Sequence, residues 1–158
     1  YRNSRGGRGD SEDTVLHIGC GIFPLTELTL AQETKATIIG IDKNKNLIEK
    51  ATKSVREYGL EDHIRILHGD GQFFPLSSCS VIIISSCASP KINIINNMLK
   101  SMKPGTKIII RELEPSAVSL FKKVEKKNDL SFFGSISHNP FPFFSPFGWE
   151  SRCYIKNK

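Results

Sequence analysis

No apolar run in the chain is long enough to cross a membrane. The longest unbroken aliphatic stretch, Val81 to Ile84, falls far short of the ~18 residues a span needs. The sequence opens on no basic-then-apolar leader, so nothing in it points to export. Cysteine is sparse and scattered. Cys20, Cys79, Cys87 and Cys153 lack the paired short spacings of a zinc framework, and His17 beside Cys20 has no second pair. Four reduced thiols in a cytosol are expected, with neither metal nor disulfide. There is no internal repeat, and no Walker lysine to mark a phosphate loop.

What is present is the composition of a folded domain. With 158 residues, 39% hydrophobic and 24% charged, the chain suits one domain able to bury about 69% of its unfolded surface. Lysine and arginine outnumber aspartate and glutamate 22 to 16, for a net charge of +6. Such a surplus can serve nucleic acid or acidic substrates. Here it is dispersed, apart from a block at Lys122, Lys123, Lys126 and Lys127. A solvated helix face is the simpler reading, so neither nucleic acid nor a membrane is an expected partner.

Residues 1 to 13 (YRNSRGGRGDSED) are polar and glycine-rich and read as a flexible lead-in; residues 14 to 158 read as one domain. Short buried runs then alternate with amphipathic ones. Strands are predicted at Val15–Ile18, Thr37–Ile41, Ile64–Leu67, Val81–Ile84 and Lys107–Ile110. Helices are predicted near 24–34, over Leu47–Val55 with Gly59 as its stop, over Ile92–Met102 before Pro104, and over Ala117–Val124. Near-continuous Ile and Val strands separated by helices imply an α/β, doubly wound parallel sheet covered on both faces. Leu130–Ile136 and Arg152–Ile155 read as two further strands. Between them Pro140, Pro142 and Pro146 forbid regular structure. Six of the ten phenylalanines lie in or beside that segment: Phe132, Phe133, Phe141, Phe143, Phe144 and Phe147. These rings are expected to plug one end of the core; the alternative is an apolar wall for a substrate or a dimer contact.

In an open parallel sheet, ligands bind beyond the carboxyl ends of the strands, where strand order reverses. The first strand ends in Gly19-Cys20-Gly21, two glycines that let the chain turn sharply and a ligand approach its backbone. Asp42, 21 residues past Gly21 and closing the second strand, can accept from a ribose diol. Asp70, inside Gly69-Asp70-Gly71 after the third strand, can accept from an adenine amino group. Each acid alone is more often a cap or turn former. Three such features on three successive strand ends point to an adenosine-containing cofactor. A dinucleotide site would want a third glycine where Pro24 stands, with bulky Phe23 before it, so NAD fits poorly.

The segments VLHIGCG, GID, HGDG and MKPGTKIII resemble the successive signatures of class I S-adenosylmethionine-dependent methyltransferases, from about Val15 to Ile110. The resemblance implies a Rossmann-like, mostly parallel seven-stranded sheet with one reversed C-terminal strand, and S-adenosylmethionine as cofactor. Gly19 and Gly21 would face its methionine part, Asp42 the ribose and Asp70 the adenine, with Ser85, Ser86 and Cys87 bordering the transfer site. Their neighbours Cys20, Lys43 and Gly71 complete the expected cofactor-binding set. The chain departs from the family at His17, where an acid is usual, at Phe23 in place of the third glycine, and at Ser80 in place of a common Asp. Asn139-Pro140-Phe141-Pro142 has the wrong order and position for the box of base-amino methyltransferases. More narrowly, GCGIFPLT and SSCASPK are similar to the glycine loop and the Ala-x-Pro-Lys segment of archaeal nicotianamine synthases, which also lack the acid at the place of His17. Those enzymes pass the cofactor's aminobutyrate arm to an amine and carry a helical domain that has no counterpart here.

Methyl transfer to a small molecule is therefore the expected function. Aminobutyrate transfer to an amine and a non-catalytic cofactor-binding subunit are the alternatives. No catalytic base stands out. His17 reads most simply as a strand residue satisfied by its neighbours, and His138 lies in the aromatic segment. About a dozen residues precede the first strand, so either the substrate is bound openly or a partner closes the site, a second copy included.

Overall fold

The short Ile/Val runs do become strands, because β-branched side chains pack well on a pleated surface buried from both sides. In the computed structural model, which describes residues 13–76, 78–114, 116–138 and 148–158, β1 (Thr14–Ile18), β2 (Thr37–Asp42), β3 (Ile64–His68), β4 (Val81–Ile84) and β5 (Lys107–Leu113) lie parallel. β7 (Trp149–Lys156) runs antiparallel between β5 and β6 (Leu130–His138). The seven strands form one sheet in the order β3-β2-β1-β4-β5-β7-β6. The chain leaves β1 toward β2 and β3, then returns to β4 on the other side of β1. The carboxyl ends of β1 and β4 thus flank the switch point where such sheets take ligands.

The helices lie where hydrophobic spacing put them: α1 (Leu25–Glu33), α2 (Lys45–Glu57), α3 (Lys91–Ser101) and α4 (Ser116–Glu125). Asn44 caps α2, its side chain accepting from the Asn46 amide at 3.1 Å. Leu28 and Ala31 of α1 and Val55 of α2 close one core over Val15, Ile38, Ile64 and Ile83. Ile94, Ile95 and Met98 of α3 and Phe121 of α4 close the other over Leu16, Ile82, Ile84, Ile108 and Ile110. Each fully buried aliphatic side chain contributes roughly 1.5–3 kcal/mol. The stiff two-sided core between them holds the strand ends in register.

One expectation changes. Phe132 and Phe133 do not plug the core: they are 55% and 68% exposed on the edge strand β6, where a register shift between Phe132 and Gly134 breaks the alternation of faces. Phe132 only edges onto the buried Tyr154, with ring centroids 5.8 Å apart. The remaining rings of that segment, and the lead-in before Asp13, lie outside the described residues. No helix among the described residues is long and apolar enough to cross a membrane.

Candidate functional site

Beyond the ends of β1, β2, β3 and β4 opens a cleft whose free space, the open solvent at its mouth included, is about 360 Å³. Its walls come chiefly from four strand ends. The β1 loop supplies Ile18 and Gly19, and the end of β2 supplies Asp42 and Lys43. Gly69, Asp70 and Gly71 follow β3, and Cys87, Ala88 and Ser89 follow β4.

Local chemistry fixes each loop. Gly19 turns the chain with φ +84°, and a Cβ there would sit 3.1 Å from that of Ser85. The amides of Gly19 and Cys20 both donate to the Ile41 carbonyl, at 2.8 and 3.1 Å, which pins the glycine loop to β2. Asp42 then binds in both directions. Its Oδ2 accepts from the Gly21 amide at 3.1 Å and its Oδ1 from the Asn44 amide at 2.9 Å. A carboxylate has about four acceptor positions, so this half-buried side chain keeps capacity for two more donors. Asp70 accepts from the Gln72 amide at 2.8 Å and from the Gln72 side chain. Gly71 is buried and must be glycine for space: a Cβ would lie 2.7 Å from Ile18 Cγ2. Lys43 Nζ donates across the cleft mouth to the Ser89 carbonyl at 2.9 Å.

Of the nine expected cofactor-binding residues, Gly19, Asp42, Lys43, Asp70 and Gly71 line the cleft directly. Gly21 stands beside it, tied to Asp42. Cys20 lies underneath, 6% exposed. Its thiol is pushed up to about 12, first by burial and then by the charges of Glu27 and Asp42, so it stays protonated. Ser85 borders Gly19, and its hydroxyl lies 3.2 Å from Cys87 Sγ. Ser86 contributes its carbonyl, which accepts from Lys91 Nζ at 2.9 Å.

Sequence reasoning missed the supports behind the cleft. Lys91, 8% exposed, also donates to the Arg111 carbonyl at 2.9 Å and to Glu112 Oε2 at 2.8 Å. It thereby ties the β4 loop to the end of β5. Burial raises the Glu112 carboxyl, but the bond from Lys91, the Leu113 amide, the Lys91 charge and the Ser116 hydroxyl together bring it below the ordinary range. Under the glycine loop, His17 Nδ1 donates to Glu27 Oε1 at 2.7 Å, both residues being buried. Gly40 makes room for that carboxylate, since a Cβ there would lie 2.6 Å from it. Among the described residues, His17 Nε2 and Glu27 Oε2 have no hydrogen-bond partner. His17 is thus a strand residue held by its neighbour, beneath the cleft rather than in it. The signal that could have found Glu27 is its place: the first turn of a helix packed over a glycine in the facing strand.

The residues present fit an adenosine cofactor. Two carboxylates on adjacent strand ends keep acceptor capacity, and glycines lie where a Cβ would meet Ser85 or Ile18. A family profile described as a methyltransferase domain matches residues 9–150. Malonyl-[acyl-carrier protein] O-methyltransferase of Priestia megaterium is 28% identical over 112 residues, which cover 71% of this chain and 37% of that protein. Methyltransferase GfsG of Streptomyces halstedii is 28% identical over 104 residues, 63% of this chain and 37% of that protein. The chain thus spans little more than a third of the curated relatives it matches. Among solved structures, a mutant of the nicotianamine synthase MtNAS crystallised with S-adenosylmethionine superposes with a TM-score of 0.72 at 18% identity, covering 93% of this chain and 56% of that one. The [4+2]-cyclase SpnF gives 0.73 at 16%, covering 94% and 76%. YcgJ of Bacillus subtilis gives 0.72 at 14%, covering 93% of both chains. By the span of the family match, the chain belongs to the methyltransferase-domain family.

Proposed function

We propose that this chain is an S-adenosylmethionine-dependent methyltransferase domain acting on a small molecule. The observation that carries the reading is Asp42. It closes β2 with both oxygens anchored by backbone amides and spare acceptor capacity facing a cleft shared with Asp70. On this reading Asp42 holds the ribose diol and Asp70 the adenine amino group. Gly19, Cys20, Gly21 and Gly71 allow close backbone approach, and Lys43, Ser85 and Ser86 border the ligand. Bound there, S-adenosylmethionine supplies a sulfonium whose attached carbons are electrophilic. The chain's own work is positioning: the Lys91 bridge fixes the β4 loop against β5, and the pinned glycine loop fixes the opposite wall. Neither wall requires a covalent intermediate.

A second reading is aminobutyrate transfer to an amine, favoured by the Ser-Pro-Lys segment built around Lys91 and by the likeness to the MtNAS structure. The two differ in the nucleoside left behind. Incubating the chain with S-adenosylmethionine and a small-molecule extract should release S-adenosylhomocysteine above a no-protein control; methylthioadenosine in its place would establish the second reading. Release of neither, with cofactor still bound, would make the chain a binding subunit. The reading assigns the chain to the cytosol on its four unpaired cysteines, with a small-molecule substrate rather than nucleic acid as partner.

A further inference from the structure

Lysines that lie scattered along the sequence converge in the fold. The strand register sets Lys107, the first residue of β5, beside Ile155, and Lys156 beside Leu130. The amino end of β5, the carboxyl end of β7 and the start of β6 therefore share the end of the sheet opposite the cleft. The Leu130 amide donates to the Lys127 carbonyl at 3.3 Å, and the Gly105 amide to that of Lys156 at 2.9 Å. These bonds bring the end of α4 and the turn before β5 to the same place. Lys103, Lys107, Lys126, Lys127, Lys156 and Lys158 thus meet at one corner of the molecule, and Lys122 and Lys123 adjoin it in the last turn of α4. The acids among them are taken: Glu125 pairs with Arg152, and Asp129 lies 3.6 Å from Lys156 Nζ. No acid pairs with the other lysines of this corner among the described residues. Asp13, Glu61 and Asp62, at the same end of the sheet, precede β1 and β3, two or more strands away from β5.

Two exposed rings stand beside these lysines. Phe132 and Phe133 follow Leu130 by two and three residues, about 7–10 Å along the strand. Phe132 edges onto Tyr154, whose hydroxyl donates to Glu125 of α4 at 3.4 Å, so the rings adjoin the lysine block of that helix. Aromatic rings flanked by ammonium groups on long stems suit the face of an anionic bilayer, where the rings enter the headgroup layer and the stems reach its negative charge. Two other occupants fit less well. Nucleic acid is gripped and read largely through guanidinium forks and carboxamides. Arg152, however, lies 4.4 Å over the Phe121 ring and is paired with Glu125 and Glu150. Asn157 is bonded through both ends of its amide, to Ser131 and to the Asn128 carbonyl. Edge-to-edge pairing with a second copy is opposed by the register shift between Phe132 and Gly134, which breaks the ladder where the rings stand.

We infer that this corner, Phe132 and Phe133 flanked by the lysines of α4 and β7, is a docking surface for an anionic lipid bilayer. Docking here is peripheral and independent of the cofactor. The cleft lies at the other end of the sheet and faces away from the lipid. The expectation that no membrane is a partner followed from charge spread along the sequence; in the fold that charge is gathered.

Co-sedimentation with vesicles tests the docking, using phosphatidylcholine alone and phosphatidylcholine mixed with phosphatidylserine, each at low and high salt. The wild-type chain should pellet with the phosphatidylserine vesicles only, and added salt should release it. Lys126→Gln together with Lys127→Gln should weaken binding about fivefold for each lysine removed. Phe133→Ser should weaken it about tenfold and leave the salt dependence in place. Both variants change exposed side chains, and melting curves confirm that they are folded. A wild type that ignores anionic vesicles would overturn the inference, as would variants that bind them as wild type does. Binding of single-stranded oligouridylate through Lys126 and Lys127, without vesicle binding, would make the corner a nucleic-acid surface. A dimer that Phe133→Ser dissolves, again without vesicle binding, would make it a contact between copies. Either result would displace the bilayer.

Discussion

Replacing Lys91 by methionine removes the charge and keeps the length of the side chain. Three bonds vanish together: to the Ser86 and Arg111 carbonyls, both at 2.9 Å, and to Glu112 Oε2 at 2.8 Å. Both partners of the ion pair are sheltered, with side chains 8% and 14% exposed. Breaking a buried pair from one side costs about 3–5 kcal/mol. Glu112 keeps the Leu113 amide at 2.9 Å and the Ser116 hydroxyl at 3.1 Å, which favours the lower end, about 3 kcal/mol. For a domain of this size each kcal/mol moves the midpoint by roughly 2–4 °C, so Lys91→Met should melt about 6–12 °C lower at pH 7. The double variant Lys91→Met with Glu112→Gln should recover much of that loss, because no buried charge is left alone. The acid limb carries the same signature. Glu112 is held below its ordinary value of 4.5, so its contribution is whole above that pH and fades as pH falls through its own lower value. Lys91→Met should therefore show a shallower loss of stability on acidification than wild type. A melting shift under about 2 °C, or a double variant no better than the single, would refute the bridge as the tie between β4 and β5.

Gly71→Ala drives a methyl group to within 2.7 Å of Ile18 and 3.3 Å of Ile94; overpacking of this kind costs about 1–3 kcal/mol, and calorimetry should show cofactor binding weakened as the cleft floor shifts. Cys87 is exposed and lines the cleft, whereas Cys20 and Cys79 are buried with thiols pushed up by burial. Brief alkylation at pH 8 followed by peptide mass mapping should therefore label Cys87 well ahead of those two, and S-adenosylhomocysteine should slow it; labelling of Cys20 first would contradict the site's geometry. Asn44→Ala removes the α2 cap and should lower stability by about 1 kcal/mol in chemical denaturation without altering cofactor affinity.

Much of the architecture was legible because isoleucine runs and helical spacing report burial directly. All seven predicted strands and all four helices are present. Boundaries failed where pairing, not composition, extends an element. β5 runs on through Arg111, Glu112 and Leu113 because β7 supplies antiparallel partners in Ser151, Glu150 and Trp149, and nothing local announces a polar strand end. Among site residues, Asp42 and Asp70 were visible because strand ends project into the cleft by topology. Lys91 and Glu27 were not, since each is a common surface residue type whose role depends on a partner distant in sequence: Glu112 for Lys91, and His17, made reachable by the missing side chain of Gly40, for Glu27. Phe132 and Phe133 misled for the converse reason, being apolar residues on a bulged edge strand with exposed rings.

The most direct measurement is the binding of S-adenosylhomocysteine to the wild-type chain and to Asp42→Ala, followed by calorimetry with melting curves on both. The account predicts a saturable one-site isotherm for wild type and an affinity about tenfold or more lower for the variant, since bonds to a charged acceptor are lost. No saturable heat from a folded wild-type chain, or the same affinity in both proteins, would contradict it.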